Sequence, residues 1–408
     1  MRGEPRRGKT PVLAVVAILL LAFNLRLAVS SVPPILADLG LGQTGQSLLV
    51  TTPVLCFGLA ALAAPWLRRR LGQEQLLLAV LAALALGLVI RADWPEWGLF
   101  PGTLVAALAV ALMNVVVPAV VRGKFAGHAA AMTSAYAVSL SVGAGLAAGL
   151  TVPILHDTGS VNLALGVWAL PAGLAFVVWL TQISNRWLTP TQPMAASGTP
   201  TKPLISVWSS PVAWRVTAFF GLQSLVYYAI LSWLPSIYRA KGDSPASAGL
   251  LLAVLATIGI VGNLAGPALA SRTSDQRAAV IVSILITAVG VLGVLLGPLS
   301  TAVLWVCILG IGTGATFPVT LLLVVVRSPD AATAVRLSAM AQGTGYVIAA
   351  IGPLALGLVR SISGSWTIPL LLVLGVLALE IPAGLGAART RLVGADAPST
   401  GPGPARPA

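Results

Sequence analysis

Uncharged apolar runs long enough to cross a lipid bilayer recur along the whole chain, separated by short polar turns. The run from Leu76 to Ile90 carries no charged residue. No polar face interrupts it at the period that a water-exposed helix or strand would show. A crossing takes about 20 apolar residues. On that measure the pattern predicts twelve spans, near 11–37, 46–67, 75–91, 98–121, 129–155, 161–182, 211–238, 246–270, 278–297, 301–326, 331–359 and 365–386. The one long polar connection, Ser184 to Ser210, is rich in Pro, Thr and Ser and reads as a flexible linker. Residues 1–183 are thus expected to form an N-terminal six-helix bundle, 184–210 a cytoplasmic linker, 211–388 a C-terminal six-helix bundle and 389–408 a polar cytoplasmic tail.

Composition agrees with lipid as the solvent. Of 408 residues 57% are hydrophobic and 9% carry Asp, Glu, Lys or Arg, against about 25% in a soluble domain. The net charge of +13 would suit nucleic acid only if gathered on one exposed face. Here Lys and Arg sit in short loops, so no nucleic-acid partner is expected. Nineteen of the 24 fall on one side of the predicted topology, Arg91, Arg239, Lys241 and Arg360 fall on the other, and Arg26 alone lies inside a span. Positive residues stay cytoplasmic, which puts both termini in the cytoplasm and the spans in a bacterial-type inner membrane. The apolar stretch behind Arg2, Arg6, Arg7 and Lys9 is too long for a signal peptide and reads as the first span. Cys56 and Cys307 both lie within spans, which implies neither a disulfide framework nor a metal cluster.

The two halves echo each other. Ser31 and Pro34 match Ser232 and Pro235 at an offset of 201, Pro65 and Arg70 match Pro267 and Arg272 at 202, and Pro118 matches Pro318 at 200. Met132, Gly149 and Leu150 match Met340, Gly357 and Leu358 at 208. An ordered series of this kind is the trace of a duplicated six-helix unit. The expected fold is an all-α membrane protein, twelve transmembrane helices in two pseudo-symmetric six-helix bundles, which is the major facilitator arrangement. In that arrangement helices 1, 4, 7 and 10 line a central cavity, and helices 3, 6, 9 and 12, poor in polar side chains here, face lipid.

Arg26 sits some fifteen residues into the first span. An arginine near the bilayer centre costs about 2.5 kcal/mol or more, so it should face the protein interior and mark a site. Its fixed charge and planar donor fork suit a compact anion or an electron-rich ring. The alternative is a structural arginine bonded to backbone carbonyls. The 201 offset pairs Arg26 with Tyr227, beside Tyr228, and Gln223 lies one helical turn earlier. These are expected to form a wall opposite the cation. Asn24, Ser30, Asn114, Tyr136, Gln342 and Tyr346 are further polar groups at useful depth, each open to a helix-packing role instead. Asn263, among Gly259, Gly262 and Gly266, belongs with packing.

Three stretches carry a family resemblance: Asn24-Leu25-Arg26 leading to Ser31-Val32-Pro33-Pro34, then Trp233-Leu234-Pro235-Ser236-Ile237 with Ala248-Gly249-Leu250-Leu251, and Gly345 through Pro353. Together they resemble the cyanate and 2-nitroimidazole permease family of the major facilitators, from about Leu25 to Trp366. That resemblance implies a small solute as substrate. The loop Pro65 to Gln73 resembles the general facilitator signature at Arg70 and Gly72, with Arg69 where the acid belongs and Pro65 where the first glycine belongs. The loop carrying Arg272, Asp275 and Arg277 is a looser echo. Arg70, Gly72 and Arg272 are therefore candidates for a conformational role, the alternative being positive-inside anchoring.

No nucleotide-binding loop, Ser/His/Asp arrangement or metal-ligand cluster occurs, so neither an enzyme nor a cofactor is expected. His128 and His156 fall at span ends and read as loop residues. No Asp or Glu lies in the core of spans 1 to 11, and Glu380, in the twelfth, is expected to face lipid. Transport by alternating access is then expected to be uniport or coupled through the ionisation of the solute itself. The alternative is export of a neutral or aromatic compound with Arg26 structural. The partners expected are a small solute and the lipid bilayer, with the chain acting as a monomer.

Overall fold

The computed structural model describes residues 12–71, 73–93, 95–124, 129–184, 206–272 and 275–394. Most of the linker, the end of the tail, Gly72 and His128 lie outside them. The helices are α1 (Val12–Ser30), α2 (Gln43–Leu71), α3 (Gln73–Asp93), α4 (Pro95–Lys124), α5 (Ala129–Thr158), α6 (Val161–Gly166) and α7 (Ala169–Ser184), then α8 (Pro211–Ala240), α9 (Pro245–Ala270), α10 (Arg277–Leu296), α11 (Ala302–Val326), α12 (Ala331–Ser363) and α13 (Thr367–Ala387). Among the described residues there is no strand, and twelve segments are long and apolar enough to cross a membrane.

Two of the twelve spans are broken. The first ends as an α-helix at Ser30 because Pro33 and Pro34 each lack the N–H a continuing helix needs. The chain then turns and resumes as a 3₁₀ helix, Pro33–Leu39, which stops at Gly40 with φ of 69°. The sixth span is α6 plus α7, interrupted at Val167 and Trp168. Two long helices, α9 and α12, start on side-chain caps: Asp330 accepts from Thr333 N–H at 2.7 Å and Ser244 accepts from Ser247 N–H at 3.1 Å.

Helices before the linker pack mainly on one another, α3 on α4, α1 on α5 and α2 on α4. Those after it do likewise, α9 with α11, α8 with α12 and α13, α10 with α11. The two sets meet along α2 with α12, α5 with α9, and α8 with the 33–39 segment. Lipid offers no hydrophobic drive between helices, so close approach over small residues does the work. At the α9–α11 crossing a Cβ on Gly262 would stand 2.7 Å from the Ala315 amide nitrogen, and one on Gly266 would stand 2.6 Å from the Ala315 carbonyl oxygen. These are glycines of the stripe around Asn263 that the sequence assigned to packing.

Two charged residues are not where the sequence put them. Arg91 counts as a loop residue in the topology, but α3 runs past it and it is buried. Its guanidinium donates to the Ala28 carbonyl at 3.1 Å and to Ser31 Oγ at 3.2 Å. The break at Pro33 leaves carbonyls at the end of α1 without helical partners, and a cation there satisfies them. Glu380 does not face lipid. On α13 the buried residues Leu370, Val373, Leu377, Glu380, Gly384 and Ala387 recur at three and four positions and form one stripe. Leu371, Leu372 and Leu379, on the other side, are the exposed ones.

Candidate functional site

Arg26 lies near the middle of the first span, Val12–Leu39, and is half-buried. Its Nη1 donates to the Tyr227 hydroxyl at 2.8 Å, and its guanidinium carbon stands 5.2 Å from the centre of that ring. Among the described residues no carboxylate pairs with it. Tyr228, Tyr346 and Tyr136 stand near it besides Tyr227. An arginine held this deep with a phenol in place of an acid leaves a net positive charge in the protein interior. It also leaves guanidinium N–H groups free to grip an anion or a polar ring edge.

The tyrosines join an aromatic cluster that crosses between the two sets of helices. Tyr227 meets Tyr228 edge-on at 5.1 Å, and Tyr346 stands 5.3 Å from Phe57 of α2 and 5.2 Å from Phe220, edge-on. Phe57 also lies 5.8 Å from Tyr228. Asn114 of α4 and Tyr228 are within hydrogen-bonding reach of the Tyr346 hydroxyl. Beginning one turn beyond Arg26, a narrow space of about 20 Å³ lies between α1, α2, α4 and α8, lined by Val29, Val32, Leu49, Pro53, Tyr228 and Ser232 among others. That is room for about one water molecule, and its walls are mostly apolar with a few polar groups.

Call the face where α1 begins the near face and the opposite one the far face. On the far face Arg239 grips Asp38 through two bonds of 2.7 and 3.0 Å, joining α8 to the segment after α1. Arg26 and Tyr227 are 201 residues apart, and so are Asp38 and Arg239. Both distances equal the repeat offset of the first and seventh spans, so equivalent positions of the duplicated unit meet each other. That is the arrangement of a pseudo-twofold axis running between α1 and α8 along the membrane normal.

A duplicated six-helix unit, twelve spans and a mid-membrane site on the axis between the halves describe one architecture, and residues 14–353 match the Major Facilitator Superfamily. The chain belongs to that superfamily. It is 34% identical over 375 residues to the 2-nitroimidazole transporter of Escherichia coli (strain K12), covering 89% of this chain and 92% of that one. It is 29% identical over 376 residues to the cyanate transport protein CynX of the same organism, covering 90% of this chain and 96% of that one. Among solved structures it is similar in fold to the nucleoside transporter NupG, with a TM-score of 0.72 at 14% identity, covering 91% of this chain and 99% of that one. This facilitator is a multi-pass membrane protein, and the resemblance to the cyanate and 2-nitroimidazole permeases holds over most of its length.

The remaining residues singled out from the sequence divide. Tyr136, Tyr227, Tyr228 and Tyr346 lie near Arg26, and Asn114 reaches the cluster through Tyr346. Asn24 turns away: its Nδ2 donates to the carbonyls of Leu20 and Pro171, which ties α1 to α7. Ser30 is buried with its hydroxyl unpartnered and does not line the space beyond Arg26. Gln342 donates to Ser338 Oγ at 2.8 Å on its own helix. Gln223 is not on the wall opposite Arg26. It donates to Ser224 Oγ at 2.6 Å and lines a second space inside the C-terminal set, together with Glu380. A step of four residues turns a helix by about 400°, so Gln223 stands some 40° round from Tyr227 and tips to the Val226 side. Of the loop residues, Arg70 is exposed and lies over Trp66 of its own helix at 4.7 Å, and Arg272 is exposed. Phe57, Phe220 and Arg91 were not singled out as site residues. The first two carry only the apolar signal shared by most of the spans.

Proposed function

We propose that this facilitator is a secondary transporter that carries a compact anion or a small nitrogen-containing organic solute across a bacterial inner membrane by alternating access. On this reading it acts as a monomer with both termini in the cytoplasm, and its two six-helix halves rock about the central site. The observation that carries the reading is Arg26, an uncompensated cation at mid-span bonded to Tyr227 at 2.8 Å. Cyanate and 2-nitroimidazole, the solutes named for two relatives, are both small and nitrogen-containing. Each presents electron-rich atoms to a guanidinium fork. The aromatic cluster supports a second reading, export of a neutral aromatic compound with Arg26 structural, because ring faces stack on planar solutes.

Purified protein should be heated with cyanate and with 2-nitroimidazole in turn. A ligand of the native state raises apparent stability, and the solute carried should also drive counterflow in proteoliposomes. Stabilisation by either compound that is lost in Arg26→Leu supports the first reading, and stabilisation by the heterocycle that persists in Arg26→Leu supports the second. If neither compound stabilises the protein nor drives counterflow, the substrate class proposed here is wrong.

The Asp38–Arg239 pair supports a latch on the far face. A partly exposed bidentate pair contributes about 1 kcal/mol, a factor of roughly five in a two-state equilibrium. Asp38→Asn should therefore raise the labelling rate of a cysteine placed at Ser232 by up to about fivefold. The exchange Asp38→Arg with Arg239→Asp should bring it back. An unchanged rate in Asp38→Asn would show that the pair does not hold that face shut.

A further inference from the structure

Away from Arg26, a small space inside the C-terminal set is lined by Gln223 and Val226 of α8, Thr287 of α10, Thr313 and Thr316 of α11, and Glu380 of α13. Glu380 is 1% exposed, its Oε1 has no partner, and among the described residues nothing bonds or pairs with the carboxyl group. The walls offer mostly acceptors, and the one donor not already used is the second N–H of the Gln223 amide. The three threonines already donate to their own helices, to the carbonyls of Ser283 (2.9 Å), Leu309 (2.8 Å) and Gly312 (2.9 Å). The Gln223 amide donates to Ser224. No cation comes near. Arg215, Tyr227, Tyr228, Tyr238 and Arg239 are the titratable groups of α8, Arg277 that of α10, Cys307 that of α11, and Arg336, Tyr346 and Arg360 those of α12. None of them lines the space. Arg215 packs beside Gly386, and Arg327 donates to the carbonyls of Ala387 and Ala388. Six or more residues separate those positions from Glu380 along the chain, about 9 Å at the helical rise.

A carboxylate that is 1% exposed, walled mainly by acceptors and without a cation, is an arrangement that burial penalises heavily. One added proton resolves it: the acid is neutral and supplies a donor to the surrounding oxygens. We propose that Glu380, with Gln223, Thr287, Thr313 and Thr316, is a proton-binding site built into the C-terminal half, separate from the Arg26 site, and that protons binding and leaving there couple transport to a proton gradient. The proposal rests on the reading of the chain as a transporter. It replaces the expectation of uniport or of coupling through the solute's own ionisation, which held only while Glu380 was taken to face lipid. The four helices that wall the space include α8, which also carries Tyr227. Movement of α8 during a transport cycle would therefore reshape both sites.

Two experiments on the full chain test it. The infrared spectrum of purified protein in D₂O should contain a protonated-carboxyl band at neutral pH that is absent in Glu380→Gln and disappears from the wild type on alkaline titration. The lack of a Glu380-dependent band would overturn the proposal, and this holds whether or not the variant folds well, because the wild-type titration stands alone. In proteoliposomes with labelled cyanate, and separately with labelled 2-nitroimidazole, an imposed proton gradient should drive accumulation by the wild type. Glu380→Gln should lose that accumulation while counterflow stays within about twofold. Proton-driven accumulation equal to wild type in Glu380→Gln, or accumulation driven by a sodium gradient instead, overturns it. If the wild type gives no counterflow with either probe, the transport reading has failed at its choice of solute, and the infrared titration still decides the proton site.

Discussion

Arg26→Leu is expected to fold, insert and lose roughly 100-fold in affinity for the transported anion, the loss of a charge-assisted contact of about 3 kcal/mol. Leucine is favoured in the bilayer where arginine is not, so insertion carries no added penalty. What disappears is the positive charge and the donor to the Tyr227 hydroxyl at 2.8 Å. Arg26→Lys keeps the charge and loses the planar fork, so its affinity should fall between wild type and the leucine variant. Binding would be read by thermal shift against ligand concentration, and folding by monodispersity on a sizing column. Unchanged affinity in Arg26→Leu removes the cation from the binding site. Misfolding of Arg26→Leu alongside normal binding in Arg26→Lys makes Arg26 a structural post.

The second large effect concerns packing and needs no ligand. Gly262→Leu puts a branched side chain where a Cβ alone would already meet the backbone of α11, 2.7 Å from the Ala315 nitrogen. Helices in lipid associate through such close contact and have no hydrophobic effect to fall back on. The α9–α11 crossing should separate, costing about 3 kcal/mol or more by analogy with overpacked cores, and most of the protein should run as aggregate. Gly375→Leu is the control, since nothing lies within 4 Å of a Cβ at that position on the exposed side of α13. It should express like wild type. Equal monodispersity of the two leucine variants would mean that the crossing does not depend on the absence of a side chain at Gly262.

The fold was legible because a bilayer imposes one length and one polarity on every span, and runs such as Leu76–Ile90 leave few other readings. The breaks were less so. Reading 11–37 as a single span overlooks that Pro33 and Pro34 must end the helix, and with it the need for a cation at the freed carbonyls, which Arg91 meets. Arg26 was legible as the one charge left inside a span, and Tyr227 followed from the repeat. Gln223 and Glu380 were misplaced for a shared reason. Each was assigned by its helix as a whole, whereas the side of the helix decides. The spacing Leu370, Val373, Leu377, Glu380, Gly384 contains that information, because a lipid-facing acid would not sit in register with the inward stripe. The meeting of Asn114 with Tyr346, or of Phe57 with Tyr228, depends on how far two bundles slide past each other, which no local pattern encodes.

The two contacts between equivalent residues stand at different heights on the same axis. Arg239 is twelve positions beyond Tyr227 on the unbroken α8, a lever arm of about 18 Å at the helical rise. If the halves tilt about a fulcrum near Arg26, every 10 degrees opens the Asp38–Arg239 pair by roughly 3 Å while the Arg26–Tyr227 bond hardly lengthens. On that motion the fold would supply a fastener that releases in each turnover and a hinge that stays engaged throughout. The charge that would hold the solute belongs to the hinge, so the solute would ride at the point of least motion.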